Sequence, residues 1–485
     1  METKKSIRDL EPRALWNHFA DLNDVPRGSK KEARVTDFIR KFGEKLGLPT
    51  QVDRAGNVII TKPGTRGKEN HPVVVLQGHL DMVHQKNAGT EFDFDREGIK
   101  SYIDGEWVKA DGTTLGADNG IGVAAIMALL ESRDIPHPPL EGLFTVDEET
   151  GMTGAKELEE GILKGKILLN LDSEEDDELT IGCAGGLDTF SEGHYREEEA
   201  PVLHSAFKLK VSGLKGGHSG IEIHLGRANA NKILLRLLHK THEAFGLRLA
   251  SFTGGNLRNA IPREAEALVQ VPNALEKIYL EDFQQRVSAI LNEFASLEPD
   301  MKLEIYPSDT PFYVMAAQDQ EKALNSLYAL PNGVYRMSPT IPGLVETSNN
   351  LAKVDIQKGV FSTPKPAAKF CGIRQEDIAY AVRAALELAG AEVKQSGGYP
   401  GWPPDADSKI LELMVGVYSD LFGTAPKVAA CHAGLECGII GTHYSGMDMI
   451  SFGPTIRHPH SPDEKVHIAS VEKFWGYLTT ILNRI

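Results

Sequence analysis

Cysteine is scarce in this chain of 485 residues, which contains four. Cys183, Cys371, Cys431 and Cys437 are scattered, and no two of them form a CxxC spacing. This distribution fits reduced thiols in a cytosolic protein better than a disulfide framework or a cysteine zinc site. We therefore expect any bound metal ion to have histidine and carboxylate ligands.

Long apolar runs are also absent. No stretch approaches the roughly 18 apolar residues of a membrane span, and the first 22 residues read as an amphipathic helix without the apolar core of a signal peptide. We therefore expect a cytoplasmic protein that does not associate with membranes.

The sequence has no excess of basic residues. It has 52 Lys and Arg against 68 Asp and Glu, a net charge of -16. Binding to a phosphate backbone needs a concentrated basic face, so we expect no nucleic-acid partner. Internal repeats and low-complexity segments are missing as well, and the composition is that of an ordinary globular protein.

Strands and helices alternate in the first part of the chain. HPVVVLQGH, LEGLFTVDEE and KILLNLD have the pattern of buried strands, and DNGIGVAAIMALLES has that of an apolar helix. Such alternation predicts an α/β fold with a mostly parallel sheet covered by helices.

The middle of the chain changes to the pattern of a smaller α+β unit, in which a helix is expected from Arg227 to about His242. The first pattern returns from EVKQSGGYPG onward. We therefore predict a catalytic domain split by an inserted α+β lid domain. The expected parts are residues 1–200 and 391–485 for the catalytic domain and residues 201–390 for the insert.

Histidine and carboxylate residues follow several of these strands or open a helix. They are His79, Asp81, Asp118, Glu148, Glu149 and Asp172, with His460 after a late strand. Each alone is more often a helix cap or a solvated surface group. In an open α/β sheet, however, sites form beyond the carboxyl ends of the strands, where these residues would converge.

Carboxylate and imidazole ligands suit zinc, or alternatively manganese or cobalt. The converging groups are too many for one tetrahedral ion, whereas two ions sharing a bridging carboxylate would use them all. Two ions about 3.5–4 Å apart can hold a water, lower its pKa and polarise a scissile carbonyl. The pattern therefore predicts a hydrolase with a two-metal centre.

Several motifs resemble those of the zinc metallopeptidase family that includes carboxypeptidase G and aminoacylase. They are GHLDMV, DGTTLGADNGIGVA, TVDEETGMTGA, LLNLDSEE, GLKGGHSG, GGNLRNAIP, HAGLECG and GPTIRHPHSPDE. The resemblance covers essentially the whole chain. DGTTLGADNG, HAGLECG and SGGYPGW are similar to its aminoacyl-histidine (Xaa-His, carnosinase-like) dipeptidase branch in particular.

The resemblance implies ligands for two zinc ions per subunit: His79, Asp118 and Asp172 for one, and Asp118, Glu149 and His460 for the other. It also implies that Asp81 orients the imidazole of His79 and that Glu148 is the general base. Because relatives often have GxHSPDE where this chain has HPHSPDE, His458 competes with His460 as the ligand, but the alignment of HSPDE favours His460.

The inserted domain is expected to contribute His218, which in the family stabilises the oxyanion in the active site of the partner subunit. We therefore expect a homodimer through the lid domain. Asn259, Arg374 and Arg258 are candidates for binding a substrate carboxylate. Glu436 is a further candidate for the substrate pocket, or else a cap of the next helix.

The resulting prediction is a di-zinc dipeptidase that hydrolyses unblocked dipeptides, including Xaa-His substrates such as β-alanyl-histidine. Two alternatives remain open at this point. One is a deacylase or carboxypeptidase with the same metal centre, and the other is a binding protein on a degenerate peptidase fold.

Overall fold

A computed structural model describes residues 6–220, 222–257, 259–339, 343–363, 367–370, 375–405, 407–431 and 434–485, with backbone alone at 367–370, 375 and 376. Among the described helices, none has both the length and the hydropathy of a membrane span.

The α-helices in these ranges are, in chain order, α1 Arg13–Asn23, α2 Ala33–Lys45, α3 Ala117–Glu131, α4 Thr153–Lys156, α5 Ala230–Leu238, α6 Thr241–Phe245, α7 Glu276–Phe294, α8 Ala317–Ala329, α9 Gln375–Leu388, α10 Lys409–Phe422, α11 Glu436–His443 and α12 Ile468–Arg484.

The strands in the same ranges are β1 Thr50–Val52, β2 Val58–Lys62, β3 Val74–His79, β4 Ser101–Asp104, β5 Trp107–Ala110, β6 Leu140–Thr145, β7 Ile167–Asn170, β8 Glu178–Cys183, β9 Gly185–His194, β10 Glu197–Glu199, β11 His204–Ser212, β12 Arg248–Gly254, β13 Ala265–Pro272, β14 Lys302–Pro307, β15 Tyr313–Met315, β16 Gly333–Met337, β17 Val345–Asn350, β18 Val354–Gln357, β19 Val360–Thr363, β20 Ala367–Phe370, β21 Glu392–Tyr399, β22 Lys427–Cys431, β23 Asp448–Ser451, β24 Ile456–Arg457 and β25 Lys465–His467.

The chain forms two compact units. The first comprises Met1–Cys183, Trp402–Ala430 and Leu435–Ile485, and the second comprises Ala184–Gly401 and Cys431–Gly434. The units change over at 183/184 and 401/402, whereas the domain boundaries predicted from the sequence lie at 200/201 and 390/391. The difference arises because β9 and β21 pair with each other and belong to the second unit.

The first unit is built on an eight-stranded sheet with the order β1-β2-β6-β3-β7-β23-β8-β22. The four central strands β6, β3, β7 and β23 run parallel, and antiparallel strands extend the sheet on both sides. Nearly every residue of α3 is buried, as expected for a helix that is apolar on all faces. The predicted α/β class with a parallel core is confirmed.

The register of the parallel strands decides where their polar residues go. His79 lies opposite Thr145 of β6, and Gln77 lies opposite Asn170 of β7. The carboxyl ends of β3, β6 and β7 therefore lie side by side at one edge of the sheet, and the residues that follow them emerge there.

Two predicted helices differ from the structure. The first 22 residues were expected to form one helix, but Pro12 precedes α1, and the turn before it is a short 3-10 helix over Ile7–Asp9. The helix predicted from Arg227 to about His242 is interrupted, because Lys240 has a left-handed backbone (φ 60°) between α5 and α6.

The second unit contains a sheet with the order β14-β11-β13-β12-β18-β19-β9-β20-β17-β16, to which β21 adds beside β9. The pairings described for it are antiparallel. Its core is formed by apolar side chains of this sheet and of α5, α7, α8 and α9. The predicted α+β character of the insert is confirmed.

Candidate metal centre

The ends of three parallel strands deliver histidine and carboxylate side chains to the same place. His79 is the last residue of β3, Asp172 comes two residues after β7, and Glu148 and Glu149 follow β6. Because these strands are neighbours in the sheet, residues that are far apart in sequence become close in space.

Two further ligand candidates come from outside the strand ends. Asp118 lies in the first turn of α3, where its backbone is not helical (φ -81°, ψ 112°) and the Asp118–Asn119 peptide is cis. His460 lies in the hairpin loop between β24 and β25. His460 and not His458 completes a cluster of possible ligands within the described residues.

One cluster of ligand atoms surrounds His79. Its Nε2 lies 3.1 Å from Oδ1 of Asp118 and 3.4 Å from Oδ1 of Asp172. On the other side of the ring, Nδ1 lies 3.1 Å from the backbone oxygen of Asp81. The proton of Nδ1 is therefore directed to the backbone, and Nε2 faces the carboxylates.

A second cluster surrounds His460. Its Nε2 lies 2.8 Å from Oε2 of Glu149 and 3.3 Å from Oδ2 of Asp118. Asp118 thus belongs to both clusters and presents a different oxygen to each histidine. Such an arrangement would allow Asp118 to offer one oxygen to each of two ions.

The charged groups of the two clusters shift one another's pKa. Burial raises the pKa of Asp172 to about 7, helped by repulsion from Asp118 and Glu149 against the attraction of His79. Hydrogen bonds with Asp118 and Glu149 raise the pKa of His460 to about 11. Such groups hold protons that a metal ion would displace on binding.

Two observations indicate that the side chains of the two clusters are suited to bind metal ions. Within the described residues, Oε1 of Glu149 is buried without a hydrogen-bond partner. A buried carboxylate oxygen without a partner is costly, and a cation removes that cost. Two carboxylates and one imidazole in each cluster are also a donor set of the kind that binds zinc in hydrolases.

Glu148 lies beside His79 and Glu149 but belongs to neither three-residue ligand set predicted from the sequence. Ligand atoms of Glu148, Glu149 and His79 all lie within 4.8 Å of one another. Burial raises the pKa of Glu148 well above its usual value, and the neighbouring Asp172 and Glu149 add to this effect. A carboxyl group with a raised pKa is suited to accept and release a proton near neutral pH.

Glu436 is buried in the framework behind these residues. Its Oε2 accepts hydrogen bonds from Nε2 of Gln77 and Oγ1 of Thr145, both at 2.6 Å. Asn170 in turn donates to Oε1 of Gln77. The contact of Glu436 with substrate stays a prediction. In the structure, these hydrogen bonds link the ends of β3, β6 and β7.

The candidates of the second unit are only partly described. Nδ1 of His218 accepts a hydrogen bond of 3.2 Å from the backbone N–H of Gly220, which leaves the proton of a neutral imidazole on Nε2. Asn259 is exposed, and its backbone oxygen accepts from the N–H of Ser219. Arg258 and Arg374 lie outside the described residues.

Sequence reasoning missed two buried charged residues beside the centre. Arg27 donates to the backbone oxygens of Leu80, Asp81 and Gly116. Glu464 accepts from the backbone N–H groups of residues 115–118. Glu464 is the last residue of the HSPDE motif, and this motif could have marked it as a candidate. The sequence around Arg27 contains no comparable motif.

Residues 75–484 match the sequence profile of Peptidase family M20/M25/M40. The chain belongs to this family. The predicted family and the prediction of a peptide-bond hydrolase are thereby confirmed.

Individual relatives agree with this assignment. The cytosol non-specific dipeptidase of Escherichia coli (strain K12) is 44% identical over 487 residues, which cover 99% of each chain. The crystal structure of aminoacylhistidine dipeptidase from Vibrio alginolyticus has a TM-score of 0.91 at 43% identity and covers 99% of this chain and 98% of that one. The aminopeptidase PepT of Bacillus cereus shares the fold, with a TM-score of 0.55 at 16% identity and 98% of both chains covered.

Proposed function

We propose that this protein is a di-zinc dipeptidase that hydrolyses unblocked dipeptides, including Xaa-His substrates such as β-alanyl-histidine. The observation that carries the proposal is the position of Asp118 between His79 and His460, with Glu148 beside the same cluster. Two relatives with more than 40% identity are named as dipeptidases, one of them for aminoacyl-histidine substrates.

In this proposal Asp118 would contribute to both zinc sites. His79 and Asp172 complete the first site, and Glu149 and His460 complete the second. Bound there, the ions supply Lewis acidity, which lowers the pKa of the attacking water and polarises the scissile carbonyl. Manganese or cobalt could replace zinc, since the same oxygen and nitrogen ligands suit them.

Glu148 acts as the general base. Its carboxylate takes a proton from the attacking water and returns the proton to the amine that leaves when the peptide bond breaks. The backbone N–H groups of Glu148 and Glu149 are bound by Asp81 (3.0 and 3.2 Å), which fixes the direction in which both side chains extend.

We assign oxyanion stabilisation to His218 of the partner subunit, in a homodimer formed through the inserted unit. A neutral imidazole with its proton on Nε2, as the Gly220 contact favours, can donate a hydrogen bond to a developing oxyanion. Asn259 and an arginine, Arg374 or Arg258, would bind the carboxylate of the substrate. We place the protein in the cytoplasm, as the name of the Escherichia coli relative indicates for that protein.

The experiment is hydrolysis of a panel of unblocked dipeptides that includes β-alanyl-histidine, by wild type and by Glu148→Gln, with and without chelator. We expect chelator-sensitive cleavage and a loss of kcat/KM of about 10²–10⁴-fold in the variant. Glu141→Gln is the matched control, because Glu141 is a buried carboxylate at the start of β6, away from the site.

Two results would overturn the proposal. If the zinc-loaded wild type cleaves no dipeptide but cleaves N-acyl amino acids, the protein is a deacylase with the same metal centre. If Glu148→Gln retains the wild-type rate, another residue is the base.

A further inference from the structure

Glu464 is a buried carboxylate bound to four consecutive backbone N–H groups. Its Oε2 accepts from Leu115 and Gly116 at 2.7 and 2.9 Å, and its Oε1 accepts from Ala117 and Asp118 at 2.8 and 3.2 Å. The residue is 2% exposed. The backbone of Asp118 is therefore held directly by Glu464, in the segment where the chain enters α3.

Glu464 also belongs to the hairpin that carries His460. The strands β24 and β25 pair at Ile456–Val466 and Arg457–Lys465, so the loop between them spans residues 458–464. The N–H of Glu464 donates to the backbone oxygen of Ser461 within this loop. One side chain thus joins the loop of His460 to the turn of Asp118.

The loop needs such a tether to hold His460 in place. The His460 side chain is 52% exposed, and its backbone is left-handed (φ 60°). That conformation is uncommon for a residue other than glycine and persists only where the surroundings hold it.

Asp118 is fixed from another side as well. Arg27, which is 1% exposed, donates to the backbone oxygen of Gly116 and to those of Leu80 and Asp81. Arg27 therefore ties the turn of Asp118 to the segment that follows His79. Loss of Glu464 would leave this half of the centre in place and release the loop of His460.

We propose that Glu464 is a positioning residue that assembles the second of the two metal sites, formed by Asp118, Glu149 and His460. The proposal rests on the proposed function, since it takes these residues as ligands. It predicts an unequal effect: removing the acceptor oxygens of Glu464 weakens the ion bound by His460 much more than the ion bound by His79 and Asp172.

A purely structural role predicts something different. A carboxylate at the N-terminus of any helix stabilises that helix. If Glu464 had only this role, its loss would lower the thermal stability and the affinities of both metal sites together. Glu141 provides the matched control. It is 3% exposed and accepts hydrogen bonds from the backbone N–H groups of Lys164 and Gly165, but it lies at the opposite end of β6.

The test is calorimetric titration of the full-length, metal-free protein with Zn²⁺, for wild type, Glu464→Gln, Glu464→Asp and Glu141→Gln. Gln keeps the size of Glu but replaces one acceptor oxygen by an NH₂ group that would face two N–H donors. We expect Glu464→Gln to keep one tight ion and to bind the second at least about tenfold more weakly. Glu464→Asp, which keeps the charge on a shorter side chain, recovers part of this loss, and Glu141→Gln keeps both affinities.

Combination with His460→Ala identifies the affected site. Because this substitution already disables the second site, adding Glu464→Gln to it causes no further loss of metal affinity, whereas a general structural effect would be the same in both backgrounds. The inference is overturned if Glu464→Gln binds both ions like wild type, or if it weakens both ions equally. A wild type that binds fewer than two ions would instead refute the di-zinc proposal itself.

Discussion

The carboxylate of Asp81 lies 3.4 Å from Nδ1 of His79, but its shorter contacts are with the backbone N–H groups of Glu148 and Glu149. Asp81 is fully buried, and Ser29 donates a further hydrogen bond of 2.8 Å to its Oδ2. The sequence had suggested an orienting role toward His79 alone. The structure shows that Asp81 also holds the backbone of Glu148, the proposed base, and of Glu149, a proposed ligand.

Asp81→Asn tests this double role. The backbone N–H groups of Glu148 and Glu149 donate to different oxygens of Asp81. Asparagine replaces one of these oxygens by an NH₂ donor, so one of the two N–H groups loses its acceptor. We expect a fall in metal affinity of about 10–100-fold, as is typical when a residue that supports ligands is changed, together with a lower kcat. Zinc titration and steady-state kinetics provide the measurement, and unchanged values for both would show that Asp81 supports neither group.

Removal of the metal ions should destabilise the protein. The buried carboxylates of Asp118, Asp172 and Glu149 repel each other, and ions that bind only the folded state stabilise it by about 2.7 kcal/mol at a hundred times Kd. We expect a chelator to lower the thermal unfolding midpoint, and added Zn²⁺ to restore it. An unfolding midpoint that does not respond to chelator or to Zn²⁺ would contradict the assignment of a metal centre.

A trans role of His218 can be tested by mixing two inactive variants. In a heterodimer of Glu148→Gln with His218→Ala, one active site receives an intact Glu148 and an intact His218 from opposite subunits. Random reassociation of a symmetric dimer then restores roughly a quarter of the wild-type activity. If His218 acts within its own subunit, the mixture stays inactive, and a monomer with full activity would remove the trans role altogether.

Glu436 should make stability depend on pH. Burial raises the pKa of Glu436 from 4.5 to about 8, so between these values the folded state keeps a proton that the unfolded state has lost. The stabilisation linked to that proton is complete below pH 4.5 and declines as pH rises toward 8, by up to about 1.4 kcal/mol per pH unit.

Glu436→Gln isolates this contribution. The glutamine oxygen can still accept from Gln77 and Thr145, and its NH₂ group takes the place of Oε1, for which the described residues provide no hydrogen-bond partner. We expect the variant to gain stability relative to wild type as pH rises from 4.5 to 8, measured by denaturant unfolding at fixed zinc concentration. A difference that stays constant over this range would show that Glu436 is ionised in the folded protein.

The residues that converge on the centre could be named from the sequence because they follow strands. Runs of apolar residues in β3, β6 and β7 marked the strands, and the polar residue after each run had to emerge at the same edge of a parallel sheet. The apolar runs and the rule that the carboxyl ends of parallel strands share one edge were therefore enough to predict that His79, Glu149 and Asp172 lie close together. His460 was chosen over His458 from the family motif, and the structure places His460 at Glu149 and Asp118.

The supporting contacts escaped sequence reasoning because they join distant segments through the backbone. Glu464 binds the N–H of Leu115 across 349 residues, and Arg27 binds the backbone oxygen of Gly116 across 89 residues. A backbone amide is present at every residue other than proline, so no side-chain type in the partner segment marks it as the partner.

The family, the α/β pattern and the candidate ligands could be predicted from the chain alone, since each depends on residue type and short-range periodicity. Only the folded chain shows which oxygen of Asp118 faces which histidine, which buried charges bind the two histidine-bearing segments, and that β9 and β21 belong to the second unit. These are matters of long-range pairing and packing, and they exist only once distant segments have come together.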